Sequence, residues 1–212
     1  MKKILLSLLI LTLSISLIGC SKEKTSETNQ NIEANKTTEE TKIVDEREVV
    51  EETGPETQKT DIGLMTIYKT NEEVNLEQQS GPFIVKVLKS RISTLEPNED
   101  SKFMFDNKDK VTIITLYVEV ENTSKEINYI YPNQGTIVTN TKEQVDCDLL
   151  LSEDIGGDFI GEVIKKGNIF FVLDSDPEEI TNAKYIISGP HNENLDRLGE
   201  DITFELSFQD TH

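Results

Sequence analysis

Few side chains in this sequence could do nucleophilic or metal chemistry. There are two cysteines, Cys20 and Cys147, and two histidines, His191 and His212, beside forty carboxylates. A hydrolytic triad needs a base positioned next to its nucleophile. His191 follows Gly189-Pro190 in an expected loop and His212 is the last residue, so neither is set up to serve Cys147. Cys147 stands between Asp146 and Asp148, whose charges oppose the thiolate that a reactive cysteine requires. Alternation places it on one face with Val145 and Leu149, which predicts a small buried hydrophobe. The scarcity of His and Cys also argues against zinc. Calcium takes oxygen ligands, and two loop clusters offer them: Asp174-Ser175-Asp176 with Glu178 and Glu179, and Asp106-Asn107 with Asp109. Neither has the spacing of a twelve-residue EF-hand loop, and charged loops are ordinarily just solvated. The expectation is therefore a non-enzyme with no catalytic residue, no metal site and no cofactor.

Phe103-Met104-Phe105 is the one apolar triplet inside a polar run, 98 to 110. As a binding feature it would be an exposed loop tip that docks a protein. As a packing feature, Phe103 and Phe105 would flank the next strand and cover an edge of the fold. Both readings stay open at the level of sequence.

Cys20 belongs to a different context. Lys2 and Lys3 precede an apolar run from Ile4 to Ile18, broken only by Ser and Thr, and Gly19-Cys20 closes it. That is the layout of a secretory signal, and it falls short of the roughly 20 residues a spanning helix needs. Leu17-Ile18-Gly19-Cys20 resembles the lipobox of bacterial lipoproteins. The resemblance implies a signal peptide over 1–19, cleavage before Cys20 and a diacylglyceryl lipid on its thiol. The lipid would hold the mature chain to a membrane without embedding it.

The formal net charge is −19, or −21 once the two leader lysines are removed. Nucleic-acid binding needs clustered Lys and Arg and is not expected. From Cys20 to residue 62 the chain is rich in Glu, Thr, Lys, Asn and Gln and has no aromatic residue. Such a segment cannot bury enough apolar surface to offset chain entropy, so a disordered acidic linker is expected there. Residues 63–212 form the expected domain, large enough for one core.

Period-two alternation runs through that domain. Strands are predicted at Leu64–Tyr68, Phe83–Ile92, Val111–Glu121, Ile127–Tyr131, Gly135–Asn140, Gln144–Leu150, Phe159–Ile164, Asn168–Leu173, Lys184–Ser188 and Asp201–Phe208. Lys165-Lys166-Gly167 reads as a turn between two of them. Val111–Glu121 is the strongest, and its first half is apolar on both faces, as in a central strand. No window carries a long amphipathic helix. The fold class is all-β, an antiparallel β-sandwich.

Three stretches together carry a family resemblance. Thr115–Ser124 ends a long strand in Asn122-Thr123-Ser124, Gly135–Val138 and Lys142–Val145 flank a short turn, and Gly161–Val172 contains a Gly-x-Val segment leading to Gly167 and Phe170. In order and spacing they resemble the DUF4352-type domains of bacterial lipoproteins, over about residues 72 to 208. The resemblance implies an immunoglobulin-like sandwich and an exported location, and it implies no activity. The expected function is a non-catalytic surface lipoprotein that binds an envelope or extracellular partner. An accessory lipoprotein of a membrane complex (a transporter or a sensor) and a cation-binding surface protein are the alternatives.

Overall fold

The structure, a computed structural model, describes residues 55–209. The signal peptide, Cys20, most of the expected linker and His212 lie outside the described residues. The described chain is all-β and antiparallel. Its strands are β1 (Glu56–Thr60), β2 (Gly63–Asn71), β3 (Leu76–Ser80), β4 (Phe83–Pro97), β5 (Val111–Asn122), β6 (Ile127–Ile130), β7 (Thr136–Thr139), β8 (Gln144–Asp146), β9 (Gly157–Ile160), β10 (Val163–Leu173), β11 (Asn182–Ile187), β12 (His191–Asn192) and β13 (Ile202–Ser207).

The largest sheet runs β1-β2-β4-β5-β10. The fifteen-residue β4 takes β2 along its second half and β3 along its first. Opposite stands the sheet β13-β11-β7-β8, and β12-β6-β9 forms a third, small sheet. The core lies between these layers. From the large sheet it takes Phe83, Val85, Ile114, Leu116, Val118, Ile169 and Phe171. Tyr185, Phe204 and Leu206 meet them from the second sheet, and Ile130 and Phe159 from the third. Burial of apolar side chains on alternate positions holds the layers together.

Val111–Glu121 behaves as its sequence requires. Ile114, Leu116, Val118 and Val120 are buried in the main core. On the other face, Val111 and Ile113 join Leu95 and Phe105 in a second, smaller cluster. This outer face of the large sheet is apolar at one end and polar along the rest.

Two expectations about the large sheet need correction. The fold begins at Glu56, inside the stretch read as linker. β1 is polar and exposed and is held by backbone pairing with β2, from Glu56 opposite Ile67 to Thr60 opposite Gly63, so composition carries no trace of it. Lys165-Lys166-Gly167 is also not a turn: β10 runs unbroken from Val163 to Leu173, pairing with β5 throughout. The turn falls at Gly161, whose φ of +77° suits glycine. Gly167 instead makes room for a loop. A Cβ there would lie 2.8 Å from Glu153 Cβ and 2.8 Å from Ile155 Cγ2.

Candidate functional site

The polar part of the outer face owes its character to one irregularity. Along β4, Phe83, Val85 and Val87 point into the core, and strict alternation would send Lys89 and Arg91 in after them. The pairing with β5 shifts register between Val87 and Lys89. This β-bulge turns Lys89 and Arg91 outward, and the carbonyl of Leu88 within it accepts the N–H of Val74 at 3.0 Å. Lys89 then stands opposite Tyr117, with Asn168 beyond it on β10. Arg91 stands opposite Thr115, with Phe170 beyond.

Lys89, Arg91, Thr115, Tyr117 and Asn168 line an open groove of about 350 Å³ together with Glu72 and Ser90. Lys89 Nζ donates to Glu72 Oε2 at 2.5 Å. Chiefly that bond, with the charges of Lys89 and Arg91, holds the Glu72 carboxyl below the usual range. Arg91 forms no ion pair and no hydrogen bond among the described residues, and neither does the hydroxyl of Thr115 or of Tyr117 find a hydrogen-bond partner there. One row along, Glu119 is buried between Lys166 at 2.5 Å and Lys86 at 3.2 Å. The lysines beside the groove are thus matched by carboxylates at ion-pair distance, whereas Arg91 acts on Glu72 only through its charge.

The apolar end of the same face is where Phe103, Met104 and Phe105 go, and the structure divides them. They occupy a 3-10 turn over Lys102–Phe105. Phe105 is buried in the small outer cluster, Met104 packs against it half-buried, and Phe103 is 74% exposed. The second loop over this face spans 148 to 155 and runs beside the free edge of β10. Asp148 N donates to Phe170 O at 2.8 Å and Glu153 N to Asn168 O at 2.9 Å. Leu151 reaches the same cluster as Phe105, while Leu149 and Leu150 face solvent.

Cys147 is buried in the main core, half as expected. Val145 packs with it, but β8 ends at Asp146 and the chain turns, so Leu149 leaves that face. Burial, more than the two aspartates, pushes the Cys147 thiol up, and its sulfur lies 3.1 Å from Ser152 Oγ. His191 is not in a loop. It forms the two-residue β12 against Tyr129 and Asn128, and its ring stacks on Tyr129 at 5.1 Å and 5°.

The acidic clusters serve the fold. Glu143 accepts the N–H groups of Asp174 and Ser175 at 2.8 and 2.9 Å. Asp174 pairs with Lys108, and Asp176 Oδ1 accepts Glu178 N. Asp106 closes the 3-10 turn in a left-handed conformation, and Asp109 pairs with Lys102. Among the described residues no three acidic, His or Cys side chains gather to hold a metal ion.

The groove itself was missed in the sequence. Lys89 and Arg91 were visible as basic residues in a strand, but nothing in alternation discloses a bulge.

No family model matches the chain. Over 104 residues it is 29% identical to YonS, an uncharacterised, SPbeta prophage-derived lipoprotein of Bacillus subtilis strain 168. The match takes in 48% of this chain and 51% of YonS, so the chain spans about half the length of that curated relative. A functionally unknown protein from Listeria monocytogenes EGD-e has a similar fold, with a TM-score of 0.53 and 11% identity over 69% of this chain and 89% of that one. A lipoprotein of B. subtilis, YcdA, aligns with a TM-score of 0.44 and 20% identity over 66% of this chain and 40% of its own. The DUF4352-type resemblance therefore rests on the three sequence stretches alone.

Proposed function

We propose that the protein is a non-catalytic lipoprotein, anchored through a diacylglyceryl group on Cys20 and facing outward, whose β-sandwich binds an envelope or extracellular partner through the outer face of its large sheet. The groove carries the reading. A lone guanidinium and two unengaged hydroxyls on a rigid three-strand platform suit recognition, because the scaffold holds donors in place before any ligand arrives. The lipobox-like Leu17–Cys20 and the likeness to YonS support the anchor. On this reading residues upstream of Glu56 serve as a spacer between lipid and domain.

Metabolic labelling with an alkyne fatty acid tests the anchor. The wild-type chain is expected to take up label and fractionate with the membrane, and Cys20→Ala to lose both. Unchanged labelling of Cys20→Ala overturns it. In-cell cross-linking with an Arg91→Ala variant tests the face: partners captured equally by both proteins would remove the groove from the account.

A second reading has one observation in its favour. Phe103, at 74% exposure, and Leu150, at 84%, project from the two loops that cover the same face. Exposed apolar side chains of this kind suit docking to a protein of a membrane complex. Phe103→Ser would then weaken cross-linking where Arg91→Ala does not.

A further inference from the structure

Building on that binding reading, we propose that the Arg91 groove is a phosphate-binding site that takes a phosphorylated polyol. Arg91 sits at the groove in a protein that carries forty carboxylates against twenty-one lysines and arginines, and it is the one guanidinium there. Lys86 and Lys166 are engaged by Glu119, with Glu77 also 3.5 Å from Lys86, and Lys89 is engaged by Glu72. Of the groove's two cations, Arg91 is the one that keeps its N–H donors, five in all, available among the described residues.

The donor set selects the ligand's chemistry. A guanidinium fork matches two oxygens of a carboxylate or a phosphate equally well. A carboxylate is then fully served, and the remaining donors would face nothing. A phosphate has further oxygens, and the groove has further donors. The Thr115 hydroxyl lies on the strand position paired with Arg91, the Tyr117 hydroxyl two residues along β5, and the Lys89 ammonium on β4 beside Arg91, at the position paired with Tyr117. Lys89 and Glu72 are both about half exposed, so the ammonium can turn from carboxylate to phosphate at little cost. Glu72 and Asn168 then line the groove as an acceptor and an amide for the hydroxyls of a polyol. A volume of about 350 Å³ is at the small end of ligand pockets, enough for one phosphate and a short polyol.

The test is titration calorimetry on the mature full-length protein. Inorganic phosphate, glycerol 3-phosphate, a glycerol phosphate polymer, glycerol and citrate serve as separate probes, at low and at high salt. Binding of glycerol 3-phosphate or of the polymer is expected, stronger at low salt, with glycerol silent and citrate weaker. Arg91→Ala should lower affinity at least about tenfold, the loss of a charged hydrogen-bonded pair. Arg91→Lys should restore part of it. Arg91 lies at the surface, and an unchanged melting temperature in both variants separates lost binding from lost fold. Glycerol 3-phosphate binding alone would identify a free metabolite as the source, and polymer binding alone a repeating phosphodiester. No binding of any phosphate probe, citrate binding as tight as phosphate, or phosphate binding untouched by Arg91→Ala overturns the proposal. Should phosphate fail while Arg91→Ala still abolishes cross-linking in cells, the binding module stands and only its ligand class falls.

Discussion

Asn122 is fully buried at the end of β5, and its side chain joins two turns. Nδ2 donates to Gly161 O at 2.8 Å and to Glu126 O at 3.2 Å, while Oδ1 accepts Ser124 N at 3.2 Å. Asn122→Ala would remove these partly buried hydrogen bonds together, and chemical denaturation is expected to register a loss of about 2–4 kcal/mol. Ser93 is the reverse case. Its hydroxyl is buried on β4 without a partner among the described residues, so Ser93→Ala should be neutral or stabilising by up to about 1 kcal/mol. Glu119 sets a pH dependence. Its bond to Lys166, then Lys86, holds its carboxyl below the ordinary carboxylate value. A group lowered in the folded state contributes stability above its unfolded pKa and loses it as pH falls through the folded value. Glu119→Gln should therefore flatten the acid limb of stability against pH below about 4.5, with little change in how stability varies above that. The same decline in both proteins would show the pair to be inert. Sequence disclosed the Asn-Thr-Ser turn and the buried place of Cys147. It did not show which buried polar groups are satisfied, because that depends on carbonyls from strands far away in the chain.

At the scale of elements, alternation located strands well and their irregularities poorly. Val111–Glu121 could be read on both faces because its first half is apolar on each and its second half alternates Val with Glu. The bulge after Val87 could not, since an inserted residue leaves no compositional mark, and the whole polar groove depends on it. β1 was lost for a related reason: its stability is in backbone pairing, not in its polar side chains. β10 was split because Lys165-Lys166-Gly167 resembles a turn, although Lys166 is there to meet Glu119 and Gly167 to admit the 148–155 loop. Gly167→Val is thus expected to cost about 1–3 kcal/mol by overpacking against Glu153 and Ile155. It should also loosen the loop that covers the β10 edge. Hydrogen exchange at Phe170 N–H, which donates to Ser152 Oγ at 2.9 Å, would report the loosening. Protection unchanged from wild type would mean the loop is held by other contacts.

For the whole molecule, the charge of −19 and the groove pull in opposite directions. A strongly acidic protein repels polyanions at long range, so an anionic ligand must be captured by contacts inside the Debye length, roughly 8–10 Å at ordinary ionic strength. Raising salt from low to moderate should therefore speed association of an anionic ligand while weakening the Arg91 contact itself. Stopped-flow measurement of both rates would separate the two, and an association rate that falls with salt would contradict this view. The fold class was legible because a sandwich of this size imposes alternation nearly everywhere. The site was not, because it is a property of neighbouring strands and not of any one segment.

The position of β1 has a mechanical side. It is the first paired strand the described chain enters, it lies at the sheet's rim, and its exposed side chains contribute little beyond five backbone-paired residues. If the chain is fastened at its lipid end, shear in the surrounding fluid pulls on β1 before any other strand. β1 is then loaded first, while the groove lies on β4, β5 and β10, further into the sheet.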